Sequence, residues 1–246
     1  SKFRGELLKK IYNYLPQFKD EKFFRASKFF YRNYLNVTDD LTYSHLVRWA
    51  GYKQISKYFK FETSYYSLIE EFKKTLPKDF SNYNLDRKAQ FIEMETLLSG
   101  YILSSQGDRV SMANSVEGRY PFLDENFTEG IGKIQTSKLA YLLDAKSLFR
   151  KNFINKLPLD ILNRPKQAYQ SPNLNAFFND GNASDPVVEF MDNLKNLHFI
   201  EQSRAQKLYN IGKSNNEMIG SRDNMAFIMM MSYYFLTKSL YNWSLN

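Results

Sequence analysis

A chain of 246 residues that is 43% hydrophobic, with 21 Phe and 18 Tyr, is long enough to bury a sizeable core and is not intrinsically disordered. It has no cysteine, which excludes a disulfide framework and thiolate metal sites, and only two histidines, His45 and His198, each read as an ordinary helix or loop residue. The net charge of +8 raises nucleic acid or an anionic membrane as partners, but Lys9, Lys10, Lys19, Lys22 and Arg25 stand among acids and aromatics without a continuous basic run; the expectation is a solvated Lys-rich surface, no nucleic acid and no membrane.

In chain order the periodicity is helical. Leu7, Leu8, Ile11, Tyr12 and Leu15 recur at three- and four-residue spacing until Pro16 closes the pattern. Phe23, Phe24, Phe29, Phe30 and Tyr34 predict a second amphipathic helix. Leu46, Trp49, Ile55 and Phe59 predict a third, interrupted at Gly51, and residues 65–76 a fourth, ended by Pro77. Residues 86–105 predict a long apolar helix. Its wide face, which includes Phe91, Ile92, Met94, Tyr101 and Ile102, is expected to be buried and to leave Gln106 to Asp108 at an exposed C-terminal end. Asp124 is placed to cap a helix through Phe127, and residues 145–157 make a basic helix stopped by Pro158. Asp180-Gly181-Asn182 predicts a turn. Residues 201–211 and 222–243 complete the helices, the last with a Met-rich face expected to pack in the core. Alternating Val, Ile and Thr runs are almost absent, so the fold class expected from pattern is mainly α. The longest apolar run, Met225 to Leu236, is too short to span a bilayer, and residues 1–4 do not read as a signal peptide. With no methionine before Met94, a piece of a longer protein is expected.

Charge concentrates in one unusual stretch: Asp108, Arg109, Glu117, Arg119 and Asp124 fall within seventeen positions that end in Pro121-Phe122-Leu123-Asp124. Singly, these residues read as a surface pair, a helix end and a cap. Jointly, their order D-R-x-x-M-A-x-S-x-E-x-R-x-P-F-L-D resembles the C-terminal signature of the asparagine synthase family. Two further segments are similar to that family: Glu95 to Gly107 upstream and Arg164-Pro165-Lys166-Gln167-Ala168-Tyr169-Gln170-Ser171-Pro172 downstream.

The resemblance implies the helical C-terminal portion of an adenine-nucleotide alpha-hydrolase-like α/β synthetase domain, with residues 1–85 a helical insertion and 86–246 the signature-bearing core. It implies an ATP-dependent ligase that turns aspartate into asparagine through β-aspartyl-AMP, with ATP and magnesium as cofactors. Lys166 falls where the family places a lysine on the phosphates, which makes it the catalytic and nucleotide-binding candidate; a lysine supplies a compact point charge there. Arg164 is a second nucleotide-binding candidate. Ser104, Ser105, Gln106, Asp108 and Arg109 are candidates for the substrate pocket, where Asp108 and Arg109 either orient active-site side chains or only tie two helices together. Glu117 and Arg119 read as a structural pair fixing the turn into Pro121, costly to break if buried.

The family's S-G-G-x-D-S loop and its acidic S-G-E-G-x-D-E motif are both absent, so magnesium ligands are expected outside this chain and no metal ligand is assigned within it. The isolated chain is accordingly expected to be inactive. The implied partners are the glutaminase and nucleotide-binding portions of the same enzyme, small-molecule substrates and a second copy of the chain, in the cytoplasm. Two alternatives stay open: a related adenylating amide synthetase that closes β-lactam or lasso-peptide macrolactam rings, and a basic helical interaction module without enzymatic activity. There is no Walker loop, dinucleotide fingerprint, H-E-x-x-H or EF-hand loop.

Overall fold

Helix starts in this chain are set by short polar side chains. In a computed structural model, which describes residues 5–11, 16–60, 64–139, 146–164, 174–214 and 220–244, four of them accept a first-turn N–H. Asp20 caps α2 (Glu21–Tyr31) by accepting the Phe23 N–H at 2.7 Å, after the short α1 (Leu7–Ile11). A continuous α3 (Tyr43–Ile55) follows, and Ser64 then caps α4 (Tyr65–Lys74) through the Tyr66 N–H. Asn84 caps α5 (Leu85–Glu93) through Arg87. Beyond α5 the chain stays helical through Met94–Asp108 into α6 (Arg109–Ala113). Asp124 caps α7 (Glu125–Gly132), accepting the Phe127 N–H at 3.0 Å as the sequence predicts. Then come α8 (Thr136–Leu139), α9 (Ser147–Phe153) and α10 (Leu159–Leu162). A two-residue hairpin, β1 (Phe178–Asn179) with β2 (Asn182–Ala183), turns through Asp180 and Gly181, both with positive φ. The chain closes with α11 (Asp185–Asp192), α12 (Gln202–Ser214) and α13 (Ser221–Ser244). The protein is mostly helical, and that hairpin is the only sheet among the described residues.

The chain divides into two compact units. The first comprises residues 1–46 and 77–168. Within it Leu8, Phe18 and Phe24 form a small buried cluster, while Phe80 and Ile92 are fully buried and Phe91 lies 5.3 Å from the Phe80 ring. His45 is buried here too. Its Nε2–H donates to Glu93 Oε2 at 2.8 Å, since a carboxylate only accepts, and its Nδ1 lies 2.8 Å from Ser44 Oγ. The expectation of an ordinary helix residue missed this pairing of two residues 48 positions apart.

The second unit comprises residues 47–76 and 169–246 and holds the larger core. Leu174, Val187, Phe190, Ile200, Phe227 and Met230 are fully buried in it. Of the methionines on α13, Met230 and Met231 pack in this core, whereas Met225 and Met229 are exposed. The Tyr234 hydroxyl donates to Glu189 at 2.7 Å, and the Lys238 ammonium also reaches that carboxylate, so α13 is fastened to α11 at its surface edge.

Two expectations need correction. The third helix is not interrupted at Gly51: α3 passes through it with helical backbone. The long helix after residue 86 buries its apolar face only in part: Ile92 is fully buried, but the face opens from Met94 onward. From Met94 to Asp108 it is a π-helix, its last i→i−5 bond running from the Arg109 N–H to the Ser104 carbonyl. Hydroxyls of Thr96, Ser99 and Ser104 bond the carbonyls of Ile92, Glu95 and Gly100, four residues back, which competes with α-helical pairing. The wider turn rotates side chains off the 3.6-residue stripe, and Met94, Tyr101 and Ile102 are 56%, 48% and 40% exposed. Gln106 to Asp108 therefore lie inside a continuous helix that runs to Ala113, not at its end. No helix among the described residues is long and apolar enough to cross a membrane.

Candidate functional site

The signature folds back on itself, and small residues make that possible. Helix α6 ends at Ala113 with a Schellman closure: the Val116 N–H bonds the Ser111 carbonyl at 2.8 Å and the Ser115 N–H the Met112 carbonyl at 3.1 Å. Ser115 takes the left-handed conformation, φ 57°, that this closure requires and that glycine usually fills. The reversed chain brings Tyr120 onto the end of the π-helix, where its hydroxyl donates to Asp108 Oδ1 at 3.4 Å. A Cβ on Gly107 would sit 2.9 Å from that hydroxyl and one on Gly118 only 2.7 Å, so both glycines are needed for the ring to lie there. Asp108 thus anchors the returning strand.

The other signature residues divide into a surface pair and a corner. Arg119 Nη2 meets Glu117 Oε1 at 2.8 Å, as the spacing predicts, but both side chains are largely exposed, so the pair lacks the cost that burial would have given it. Pro121–Leu123 forms one 3₁₀ turn into the Asp124 cap. Phe122, itself exposed, contacts Phe127 and Phe149 at ring separations of 5.5 and 5.6 Å, and Phe149 stacks on Phe153 at 4.8 Å. These aromatic contacts hold the corner against α7 and α9.

The pocket candidates share one helical stretch. The Ser104 hydroxyl is committed to the Gly100 carbonyl, and the Gln106 amide donates to the Tyr101 hydroxyl at 2.9 Å. Ser105 is half-buried and Arg109 exposed, one residue beyond Asp108. Arg164 is an exposed side chain just past α10. Lys166, with the rest of the 165–172 segment, lies outside the described residues. Of the groups that the resemblance ties to ATP, only Arg164 is described, and one exposed guanidinium does not make a nucleotide site. Among the described residues no group of three or more Asp, Glu or His comes together.

Sequence reading missed the Tyr120–Gly107–Gly118 contact and the His45–Glu93 bond. The second immediately precedes Met94, so it fixes the base of the helix that carries every pocket candidate from Ser104 to Asp108. Gly118, two residues before Tyr120, was the local hint of the first; the second left none.

Comparison with known proteins gives a consistent picture. The asparagine synthase family model matches residues 12–234. Amidase chyE of Penicillium rubens is 29% identical over 143 residues, 54% of this chain and 21% of that protein. The glutamine-hydrolysing asparagine synthetase 1 of Bacillus subtilis is 32% identical over 120 residues, 49% of this chain and 18% of its own length. A probable asparagine synthetase of Acanthamoeba polyphaga mimivirus is 41% identical over 64 residues, 25% of this chain and 12% of that protein. The chain therefore spans at most about a fifth of the curated relatives it matches. No solved structure matches it. With nine-tenths of its length inside the family match over residues 12–234, the chain belongs to the asparagine synthase family.

Proposed function

We propose that this chain is the C-terminal helical portion of the α/β synthetase domain of an ATP-dependent ligase, one that adenylates the aspartate side chain and releases asparagine on attack by ammonia. The observation that carries this reading is the family match over residues 12–234, which contains the signature-like stretch from Asp108 to Asp124. In this reading residues 1–85 are a helical insertion and 86–246 the signature-bearing core. Lys166 and Arg164 face the nucleotide, and Ser104, Ser105, Gln106, Asp108 and Arg109 belong to the pocket's wall. The phosphate loop, the magnesium ligands and a glutaminase portion are contributed by the rest of a cytoplasmic, homo-oligomeric enzyme.

The test is pyrophosphate release from ATP and aspartate. The full-length enzyme releases it, the isolated chain does not, and Lys166→Ala in the full-length enzyme lowers the rate about a hundredfold or more, the scale expected for a fixed charge at a developing anion. A near-normal rate in that variant would remove Lys166 from the site. A second reading is supported by the amidase-named relatives at 29% identity: an amide synthetase of the same family acting on another carboxylate, including the ring-closing types. Screening the full-length protein against aspartate, amino acids and peptide acids separates the two, because only the preferred acid drives pyrophosphate release.

A further inference from the structure

Every pocket candidate from Ser104 to Asp108 rides on a helix that the core does not grip. No residue from Met94 to Asp108 is buried, and Leu97, Leu98 and Leu103 are only half-buried. A helix without a buried side chain takes its direction from its two ends. At the far end the Tyr120 hydroxyl donates to Asp108. At the root Ile92 is fully buried, and the next residue, Glu93, accepts the His45 Nε2–H at 2.8 Å. The His45 side chain is 5% exposed and that of Glu93 38%, so the donor is shielded from water that would otherwise compete for it. The ring itself is fixed. With Nε2 carrying the proton, Nδ1 accepts from the Ser44 hydroxyl at 2.8 Å, and the His45 N–H donates to the Thr42 carbonyl at 2.9 Å. Thr42 is fully buried, and its N–H and hydroxyl both donate to Asp40 Oδ1, at 2.7 and 2.6 Å. The turn before α3 thus sets the ring that meets Glu93, and all of these residues belong to the first compact unit.

We infer that His45 is a positioning residue for the pocket wall, acting through Glu93 to set the direction of the helix that carries Ser104, Ser105, Gln106 and Asp108. This rests on the functional reading above, in which those residues line the substrate pocket. The physical reason is leverage. At a helical rise of about 1.5 Å per residue, Ser104 stands roughly 15 Å from Glu93, so a tilt of about 4° at the root carries it about 1 Å. A misplacement of about 1 Å is enough to cost an active site much of its rate. Ile92 alone anchors the root without orienting it, because apolar packing is non-directional. The His45–Glu93 bond supplies the missing direction, since a hydrogen bond weakens steeply when it bends.

The experiment uses the full-length enzyme and two readouts. The first is pyrophosphate release, with KM taken separately for aspartate and for ATP. The second is hydrogen exchange of the 94–108 amides, read by mass spectrometry. His45→Phe keeps a ring and removes the donor, whereas His45→Gln places an amide N–H near the position of Nε2. For His45→Phe the expected result is a roughly tenfold rise in the aspartate KM, the scale of one lost hydrogen bond, with the ATP KM little changed. The 94–108 amides exchange faster, while those around Phe190 in the second unit are unaffected. His45→Gln restores both readouts. Glu93→Ala breaks the same bond from its more exposed side, gives the same pattern, and replaces His45→Phe if that variant does not fold. The double variant loses no more than the worse single, because both remove one interaction. Unchanged exchange across 94–108, a fall in kcat with the aspartate KM unmoved, losses that add in the double variant, or no restoration by His45→Gln overturns the proposal. Gln106→Ala and Arg109→Ala run in parallel keep the two ideas apart: if both leave the aspartate KM unchanged, the pocket reading fails, while the exchange rates still decide whether His45 holds the helix.

Discussion

Two tyrosines in the second unit carry a pH dependence whose sign is fixed by their surroundings. Burial, followed by the bond to Asp223, pushes the Tyr58 hydroxyl up to about 12; burial, followed by the bond to Glu189, pushes Tyr234 up to about 12. Both lie above the ordinary tyrosine value of about 10, so the folded state holds these protons more tightly than the unfolded chain does. Their contribution is complete below pH about 10 and is lost as pH rises from there through 12. Glu189 runs the other way: its bonds to Lys238 and Tyr234 hold its carboxyl below the usual range, a contribution lost as pH falls through that range. The measurement is the urea midpoint at about pH 8 and about pH 11 for the parent and for Tyr58→Phe/Tyr234→Phe. The double variant is expected to lose less stability between the two. An equal fall in both proteins would place the alkaline sensitivity elsewhere, among the remaining tyrosines and lysines.

At the scale of the element, two helical glycines predict opposite outcomes for the same substitution. In a helix, alanine is favoured over glycine by about 0.5–1 kcal/mol because the unfolded chain loses freedom. At Gly51 in α3 a new Cβ meets nothing within 4 Å, so Gly51→Ala raises the melting temperature. At Gly212 in α12 the same carbon would lie 2.4 Å from Cε2 of Phe178, a ring that also packs on Tyr209. Overpacking of that kind costs about 1–3 kcal/mol, which outweighs the helix gain, so Gly212→Ala lowers the melting temperature. Thermal unfolding of the two variants checks both signs, and a shift in the same direction for both would refute the packing argument. Gly51 also shows where local reading stops. A glycine punctuates a helix only when nothing else holds the segment, and Trp49, two residues before it, packs edge-on against Phe72. Helix ends marked by Asp20, Ser64, Asn84 and Asp124, and stops before Pro77 and Pro158, were legible because capping and proline chemistry act within a turn. The π-helix was not, because a 3.6-residue period is assumed when a face is drawn, and hydroxyl back-bonding changes the period itself. Within the site, the Glu117–Arg119 pair was legible from a spacing of two. The Tyr120 return and the His45–Glu93 bond are products of tertiary folding and leave no periodic trace. Membership of the family was legible from order alone, whereas the structure assigns Asp108 a concrete partner in Tyr120.

For the whole molecule, the decisive question is whether a surplus of eight positive charges, 34 basic against 26 acidic residues, makes this a polyanion-binding module. The arrangement argues against it. Lys9 faces Glu21, Lys28 faces Glu6, Lys73 faces Glu70 and Lys74 faces Glu71, so basic side chains in the first 76 residues stand beside acids. Each such pair presents a dipole, not a net charge, to a phosphate backbone, and dipolar fields fade faster with distance than those of single charges. The sequence has no run of five or six consecutive basic residues, and physiological salt, with a screening length of about 8 Å, weakens the attraction of scattered charges. Polyanion affinity that depends on neutralising many phosphates would need a contiguous basic track and would show a steep salt slope. The expectation is therefore weak binding to a labelled DNA or RNA oligonucleotide at low ionic strength, read by fluorescence anisotropy, and its disappearance at about 0.15 M salt. Binding that survives at that ionic strength, with a slope corresponding to several released counterions, would favour the interaction module. Loss of binding leaves the enzyme reading in possession, because a nucleotide ligase needs only a few cations at one point, and the chain carries its candidates for that point, Arg164 and Lys166, two positions apart.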